Sequence, residues 1–303
     1  MDDPDTPDTW ARQPLWAASG LEQQQLPHAL YVVATPIGNA ADITLRALWV
    51  LRHADCIAAE DTRVTAPLLK RYDIRARPLA LHRHNEREAT GKILTRLSQG
   101  ERVALVSDAG TPGVSDPGAV LVQAALSAGH RVVPVPGASS LTAALSAAGL
   151  NAAGVCLLGF LPARVQARLR LLQQAAARNE AFVLFEAPHR IAQTARELAS
   201  VLQPDRRVVL ARELTKLFEA VVQTTAGELP RVVGEQGERG EFVVVVDCAQ
   251  PVAPASAALD ETTHRWLQAL AAELPASRAA AIAAKVTGLP RETVYRAVLA
   301  DRE

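Results

Sequence analysis

The chain has 303 residues, 49% of them hydrophobic, enough for two ordinary domains with a core in each. Its 32 Lys and Arg residues balance 32 Asp and Glu, which excludes a global field for a polyanion, so any nucleic-acid contact has to be local. Cys56, Cys156 and Cys248 are far apart, with no CxxC spacing and no neighbouring His pair, so neither a disulfide framework nor a metal site is expected.

Residues 1–27 are rich in Asp, Pro and Gln and lack the basic start and apolar stretch of a signal peptide. They read as a disordered or loosely packed tail on a protein that stays in the cytoplasm. From residue 28 to about 248, short β-branched apolar runs alternate with helical patterns, which predicts an α/β fold with largely parallel strands. Strands are expected at 30–34, 56–59, 78–81, 103–106, 132–135, 155–158, 181–185, 208–211 and 242–246, with helices such as 43–51, 86–97, 118–128 and 191–202 between them.

No Asp, Glu, Lys or Arg occurs at 132–163, but Pro134, Pro136, Gly137, Gly149, Gly154 and Gly159 break that stretch into strand, helix and strand. It is therefore not a membrane span, which needs about 20 apolar residues in one helix. The five strands before Pro136 can complete one sheet and the later ones a second, so an N-terminal domain at 28–138 and a C-terminal domain at 139–248 are expected. A Pro- and Ala-rich linker at 249–260 leads to a helical tail at 261–303. There, helices at 276–285 and 292–299 flank Thr287-Gly288-Leu289-Pro290, a layout that suits a helix-turn-helix or a plain helical cap equally.

Function in such folds sits beyond the carboxyl ends of the strands. Three of those loops are unusual: Thr35-Pro36-Ile37-Gly38-Asn39, the segment 107–118 beginning Ser107-Asp108-Ala109-Gly110-Thr111-Pro112, and Pro136-Gly137-Ala138-Ser139-Ser140. Glycine lets backbone approach a ligand and proline fixes the neighbouring turn, so loops dense in both can hold bare amides against a small molecule. The second loop far exceeds the about two to five residues of an ordinary hairpin turn, a length that is usually functional or disordered.

A dinucleotide fingerprint is absent, because Gly110, Gly113 and Gly118 have the wrong spacing. Gly113 and Gly118 match the two P-loop glycines, but Ala119 and Val120 stand where Lys and Ser or Thr would bind phosphate and magnesium. Gly137-Ala138-Ser139-Ser140-Leu141 lacks the closing glycine of a nucleophile elbow.

Taken in order, these loops resemble the tetrapyrrole methylase superfamily, and within it the branch that methylates a ribose 2′-hydroxyl in small-subunit ribosomal RNA. The blocks that carry the resemblance also include Ala59-Glu60-Asp61-Thr62-Arg63, His84-Asn85-Glu86, Asp116-Pro117-Gly118, Glu186-Ala187-Pro188-His189-Arg190, Ala211-Arg212-Glu213-Leu214-Thr215-Lys216 and Gly240-Glu241. Together they cover about residues 28–247. The resemblance implies two α/β domains with S-adenosylmethionine in the cleft between them, commonly a homodimer, acting on a cytidine 2′-hydroxyl in the decoding region of 16S ribosomal RNA or the small subunit. It carries cofactor binding onto Pro36, Gly38, Asp108, Ala109, Gly110, Thr111, Pro112, Asp116, Gly137, Ala138 and Ser139. Ala34, Arg83 and the amino-terminal tail depart from the family pattern, and Arg83 touches a substrate-facing loop.

Methyl transfer to a hydroxyl needs in-line positioning and an acceptor for the hydroxyl proton. Glu60, Asp61, His189, Arg190 and Glu213 are the catalytic candidates, and Asp108, Asp116, His84 and Glu86 are further groups that could take the proton. RNA contacts are expected from Arg63, His84, Arg164, Arg168, Arg212 and Lys216. Each has a plainer reading: Asp108 and Asp116 as loop caps, Glu60, Asp61 and Arg63 as a helix entrance with its ion pair, Arg212, Glu213 and Lys216 as a salt-bridged frame, and Arg164, Arg168 and Arg170 as a solvated helix face. Aromatics make up 4% of the chain, too few for a broad base-stacking platform. A tetrapyrrole C-methyltransferase and a non-catalytic RNA-binding module are the rival readings.

Overall fold

The computed structural model describes residues 19–23, 25–150, 154–178, 180–248, 261–287 and 291–300. These fall into two compact units, 1–248 and 249–303. The expected linker at 249–260 and most of the expected tail at 1–27 lie outside the described residues. The stretch leading into the first strand is packed rather than loose: Leu21 is buried, and the Tyr31 hydroxyl donates to the Pro27 carbonyl at 2.6 Å.

The first sheet contains β1 (Leu30–Val33), β2 (Cys56–Ala59), β3 (Leu79–Ala80), β4 (Val103–Val106) and β5 (Val132–Val135) in the order β3-β2-β4-β1-β5, every pair parallel. Side chains alternate across a strand, so each β-branched run feeds two cores. Tyr31, Val33, Ile57, Ala59 and Val106 pack on one face against α1 (Leu45–His53) and α2 (Thr62–Arg71). Leu30, Ala58, Val103 and Leu105 pack on the other against α3 (Glu86–Ser98) and α4 (Ala119–Ser127). Covering both faces is what allows parallel strands to be apolar throughout.

The second sheet contains β6 (Val155–Phe160), β7 (Ala181–Glu186), β8 (Arg207–Arg212), β9 (Ala220–Thr225) and β10 (Phe242–Val246) in the order β6-β7-β10-β8-β9. Only β6 and β7 pair in parallel; β10 runs antiparallel to β7 and β8, and β9 antiparallel to β8. The expectation of largely parallel strands therefore holds for the first sheet and fails for the second, where the edge strand β9 is an additional element. One face carries Phe182, Leu184, Val208, Leu210 and Val244 against α6 (Val165–Ala176), α7 (Ile191–Val201) and α8 (Leu229–Gln236). The opposite face packs Val183, Phe185, Val209, Ala211 and Val243 against α5 (Ser140–Ala148) and against Ile37 from the loop after β1.

The described residues of the second unit form three helices, α9 (Glu261–Glu273), α10 (Ala276–Thr287) and α11 (Arg291–Ala300), around Leu267, Ala280, Ala283, Val294 and Val298. The turn at 288–290 lies outside the described residues. Among the described residues no helix is long and apolar enough to cross a membrane, and no group of His, Cys, Asp and Glu could hold a metal ion.

Candidate functional site

The three Gly- and Pro-rich loops support one another. The Thr35 N–H donates to the Gly110 carbonyl at 2.9 Å, the Gly110 N–H donates back to the Thr35 carbonyl at 3.0 Å, and the Thr35 hydroxyl donates to the Ser107 carbonyl at 3.1 Å. The Thr111 hydroxyl then donates to the Ala138 carbonyl at 3.1 Å, joining the loops after β4 and β5. Gly137 is needed for packing, since a Cβ there would lie 2.9 Å from the Cβ of Ala34.

These bends form one wall of a cavity of about 410 Å³. Glu60, Asp108, Ala109, Gly110, Thr111, Asp116 and Ser139 line it from the first half of the chain. Phe160, Phe185, Glu186 and Phe242 line it from the second sheet, and Glu241 from the residue just before β10. The aromatic rings of Phe160 and Phe185 lie 5.7 Å apart, centroid to centroid.

Three of the carboxyl groups have their affinity for a proton raised. Burial raises the pKa of Glu60, with the charges of Asp116 and Asp108 adding to it. Burial likewise raises Asp108, although the N–H of Asp61 opposes it by donating to Asp108 Oδ1 at 2.9 Å. Asp116 is raised by burial too, against a hydrogen bond from the Ser107 hydroxyl.

A second cavity of about 470 Å³ is lined by Glu60, Asp61, Thr62, Arg63, Ala80, His82 and Asp108. Glu60 and Asp108 are thus shared between the two cavities. Asp61 is the N-cap of α2, accepting the Arg63 N–H at 2.8 Å and pairing with the Arg63 guanidinium at 2.6 Å. The hydrogen bonds from Arg63 hold its carboxyl down at about 2. His84 lines a separate hollow with Arg83, Asn85 and Glu86. The Glu86 carboxylate accepts the Gly118 N–H at 2.8 Å at the start of α4, while Arg83 donates to the Ser115 carbonyl at 3.0 Å.

The remaining candidates line neither cavity. Pro36 and Gly38 lie on the turn around Ile37: a Cβ on Gly38 would sit 2.5 Å from Lys216 Cγ, and the Asn39 N–H donates to the Thr215 hydroxyl at 3.0 Å. Pro112, Gly137 and Ala138 are not part of the cavity lining, though the Ala138 carbonyl accepts the hydroxyl of Thr111, which is. Glu213 accepts from Lys216 Nζ at 2.9 Å and from the Glu241 N–H at 2.8 Å; that N–H first, and then Lys216, hold its carboxyl below the usual range. Arg212 donates to the carbonyls of Gln236 and Arg239, both at 2.7 Å. Lys216 thus bridges Glu213 and Glu241, at 2.9 and 3.1 Å, while Arg212 is held by backbone carbonyls and not by an ion pair.

His189 is exposed, while Arg190 donates to the Leu161 carbonyl at 2.9 Å and pairs with Glu186 at 3.3 Å. Arg164 is exposed at the start of α6. Arg168 corrects the reading of that helix face as solvated. It is 5% exposed, bonds both oxygens of Glu197 at 2.5 and 2.7 Å, and also donates to the carbonyls of Pro162 and Ala163. A guanidinium spent in this way is unavailable to RNA.

Sequence reasoning missed the contribution of the second sheet. Phe160 and Phe185 reach the cavity from strands whose local pattern is that of ordinary core, while Glu186 and Glu241 stood in blocks that carry the resemblance but were given no role. One signal was present: Gly159 inside a strand run marks a bulge, and the β6–β7 register does shift between Leu157 and Gly159.

The model of the tetrapyrrole (corrin/porphyrin) methylases matches residues 29–230, and that of the RsmI C-terminal HTH domain matches 257–302. The chain is 47% identical over 268 residues to the ribosomal RNA small subunit methyltransferase I of Neisseria meningitidis serogroup B, covering 88% of this chain and 91% of that protein. It is 44% identical over 275 residues to the protein of that name from Escherichia coli O157:H7, covering 89% and 94%. Among solved structures, a cobalt precorrin-4 methyltransferase of cobalamin biosynthesis matches with a TM-score of 0.53 at 23% identity, covering 73% of this chain and 95% of that one. That last likeness is one of fold.

Proposed function

The chain belongs to the tetrapyrrole methylase family, in the branch of the ribosomal RNA small subunit methyltransferase I proteins, and from that premise we propose that it methylates the 2′-hydroxyl of a cytidine ribose in the decoding region of 16S ribosomal RNA, using S-adenosylmethionine. The observation that carries this reading is that residues of both sheets line one cavity, which adjoins a second at Glu60 and Asp108.

The residues fit the cofactor. A cavity of about 410 Å³ lies within the span of about 300–1,000 Å³ usual for small-molecule sites. Phe160 and Phe185 offer an apolar wall for an adenine ring, and the loop at 109–111 offers bare backbone. Glu60, Asp108 and Asp116 supply the negative field that a sulfonium needs. When bound, S-adenosylmethionine supplies a methyl group carried on that sulfonium.

The protein's part is positioning and proton handling. The mutually bonded loops fix the cavity wall before any ligand arrives, and alignment of two reactants can supply up to roughly 7–11 kcal/mol of a barrier. The second cavity is proposed to take the target nucleotide, splayed from its stack, with Arg63 and His82 at its rim meeting phosphate or ribose. A cytoplasmic homodimer is proposed on the family resemblance, to be checked by sedimentation.

Labelled cofactor, incubated with undermethylated small subunits, free 16S RNA and uroporphyrinogen, tests the reading. Label is expected as 2′-O-methylcytidine, preferentially on assembled subunits. Label on the porphyrin would make the protein a tetrapyrrole methylase, and label on none of the three would remove the methyltransferase assignment.

A further inference from the structure

We propose that the Glu60 carboxylate accepts the proton of the 2′-hydroxyl as the methyl group is transferred. This rests on the functional reading above and assigns one step within it. The acceptor has to face both the cofactor and the nucleotide, and Glu60 and Asp108 are the residues that line both cavities.

Hydrogen bonding separates the two. Asp108 Oδ1 is committed to the Asp61 N–H at 2.9 Å, an anchor for the start of α2. Glu60 holds a single long contact, from the Asp108 N–H to Oε2 at 3.4 Å, and its Oε1 has no protein partner among the described residues. The other carboxylates fall away on the same grounds. Asp116 lines the first cavity alone. Glu186 is buried with one oxygen on the Thr194 hydroxyl at 2.6 Å and the other on the Ala187 N–H at 2.9 Å. Glu213 lines neither cavity.

The step balances without a further reactant. The O–H bond of the ribose breaks and its proton passes to a Glu60 oxygen. The hydroxyl oxygen forms the new C–O bond as the C–S bond breaks, and that bonding pair stays on the neutral thioether. An ordinary carboxylate is too weak a base for efficient general-base work near neutral pH, and burial with two like charges nearby improves the match.

Several charged groups face Glu60. Asp108 and Asp116 come from the loop after β4, and Arg83 from the loop after β3, where its charge opposes theirs. Glu186 and Glu241 face it across the first cavity, and Asp61, Arg63 and His82 across the second.

Glu60→Gln is the test, on the full-length protein with undermethylated small subunits. Cofactor should still bind in calorimetry, more weakly for the loss of one of three negative charges, and this binding also reports a folded cavity. The single-turnover rate at saturating cofactor should fall by roughly 10²- to 10⁴-fold, and the acidic limb of its pH profile should flatten. In the ligand-free protein, a carboxyl ¹³C resonance titrating above the ordinary range should be present in wild type and absent from Glu60→Gln. A rate within threefold of wild type with an unchanged acidic limb overturns the proposal, as does a loss of cofactor affinity with an unchanged saturated rate. A wild-type protein that binds no cofactor or labels no RNA overturns the functional reading instead.

Discussion

Asp108 Oδ1 accepts the backbone N–H of Asp61 at 2.9 Å, tying the loop after β4 to the first turn of α2. The bond joins two walls of the site through one carboxylate. Asp108→Ala would leave a part-buried amide without its acceptor, at a cost of about 1–3 kcal/mol, and would remove a negative charge from the first cavity, where the cofactor is proposed to bind. Calorimetry should show cofactor affinity weakened beyond tenfold, with a lower unfolding midpoint. Unchanged affinity would take Asp108 out of the site.

Raised carboxyl pKa values have an opposite signature in stability. A group such as Asp116, more basic folded than unfolded, binds more protons in the native state between its two pKa values. Native stability is therefore fully present below the unfolded carboxyl pKa of about 4 and declines as pH rises through the folded value. Asp116→Asn should raise the stability at neutral pH, by about 0.5–2 kcal/mol as such relief commonly does, while cofactor binding weakens. Denaturant unfolding at pH 7 checks this, and a less stable variant would contradict it.

Arg168 and Glu197 form a buried bidentate pair, with side chains 6% and 8% exposed. Glu197→Ala should cost about 3–5 kcal/mol, because a guanidinium would stay buried without its counter-charge. Urea unfolding measures it. A loss below about 1 kcal/mol would mean that the carbonyls of Pro162 and Ala163 suffice alone.

Arg63 has a different place in the molecule: its side chain is 89% exposed at the rim of the second cavity. Replacing it with alanine should weaken RNA binding and lower the slope of log affinity against log salt by about 1, as for the loss of one phosphate contact. Thermal stability should hardly change, since exposed ion pairs contribute little. An unaltered slope would place the RNA elsewhere.

The sequence showed the first sheet and the long loop at 107–118 clearly, because buried parallel strands and an over-long Gly- and Pro-rich loop both leave local marks. Strand direction in the second sheet was not legible. A run such as Phe242–Val246 is buried on both faces and reads alike whether its neighbours are parallel or antiparallel. The edge strand Ala220–Thr225 was missed because its exposed Gln223 and half-buried Thr224 and Thr225 dilute the apolar pattern. Arg168 was misread because its partner Glu197 sits on another helix, beyond the reach of any sequence window. Phe160 and Phe185 escaped for the same reason, since the sheet brings them to the cavity.

Ile37, though it follows the first strand, is buried among Val183, Phe185, Val209 and Val243. The polypeptide is thus laced out of sequential order, and this governs when it becomes competent during synthesis. The early bends remain without backing until residues near 243 have left the exit tunnel, so a nascent chain stalled before that point carries the three Gly- and Pro-rich loops but no finished cavity. A modifier of ribosomes built in this way completes its site only once its second sheet has emerged from the ribosome translating it.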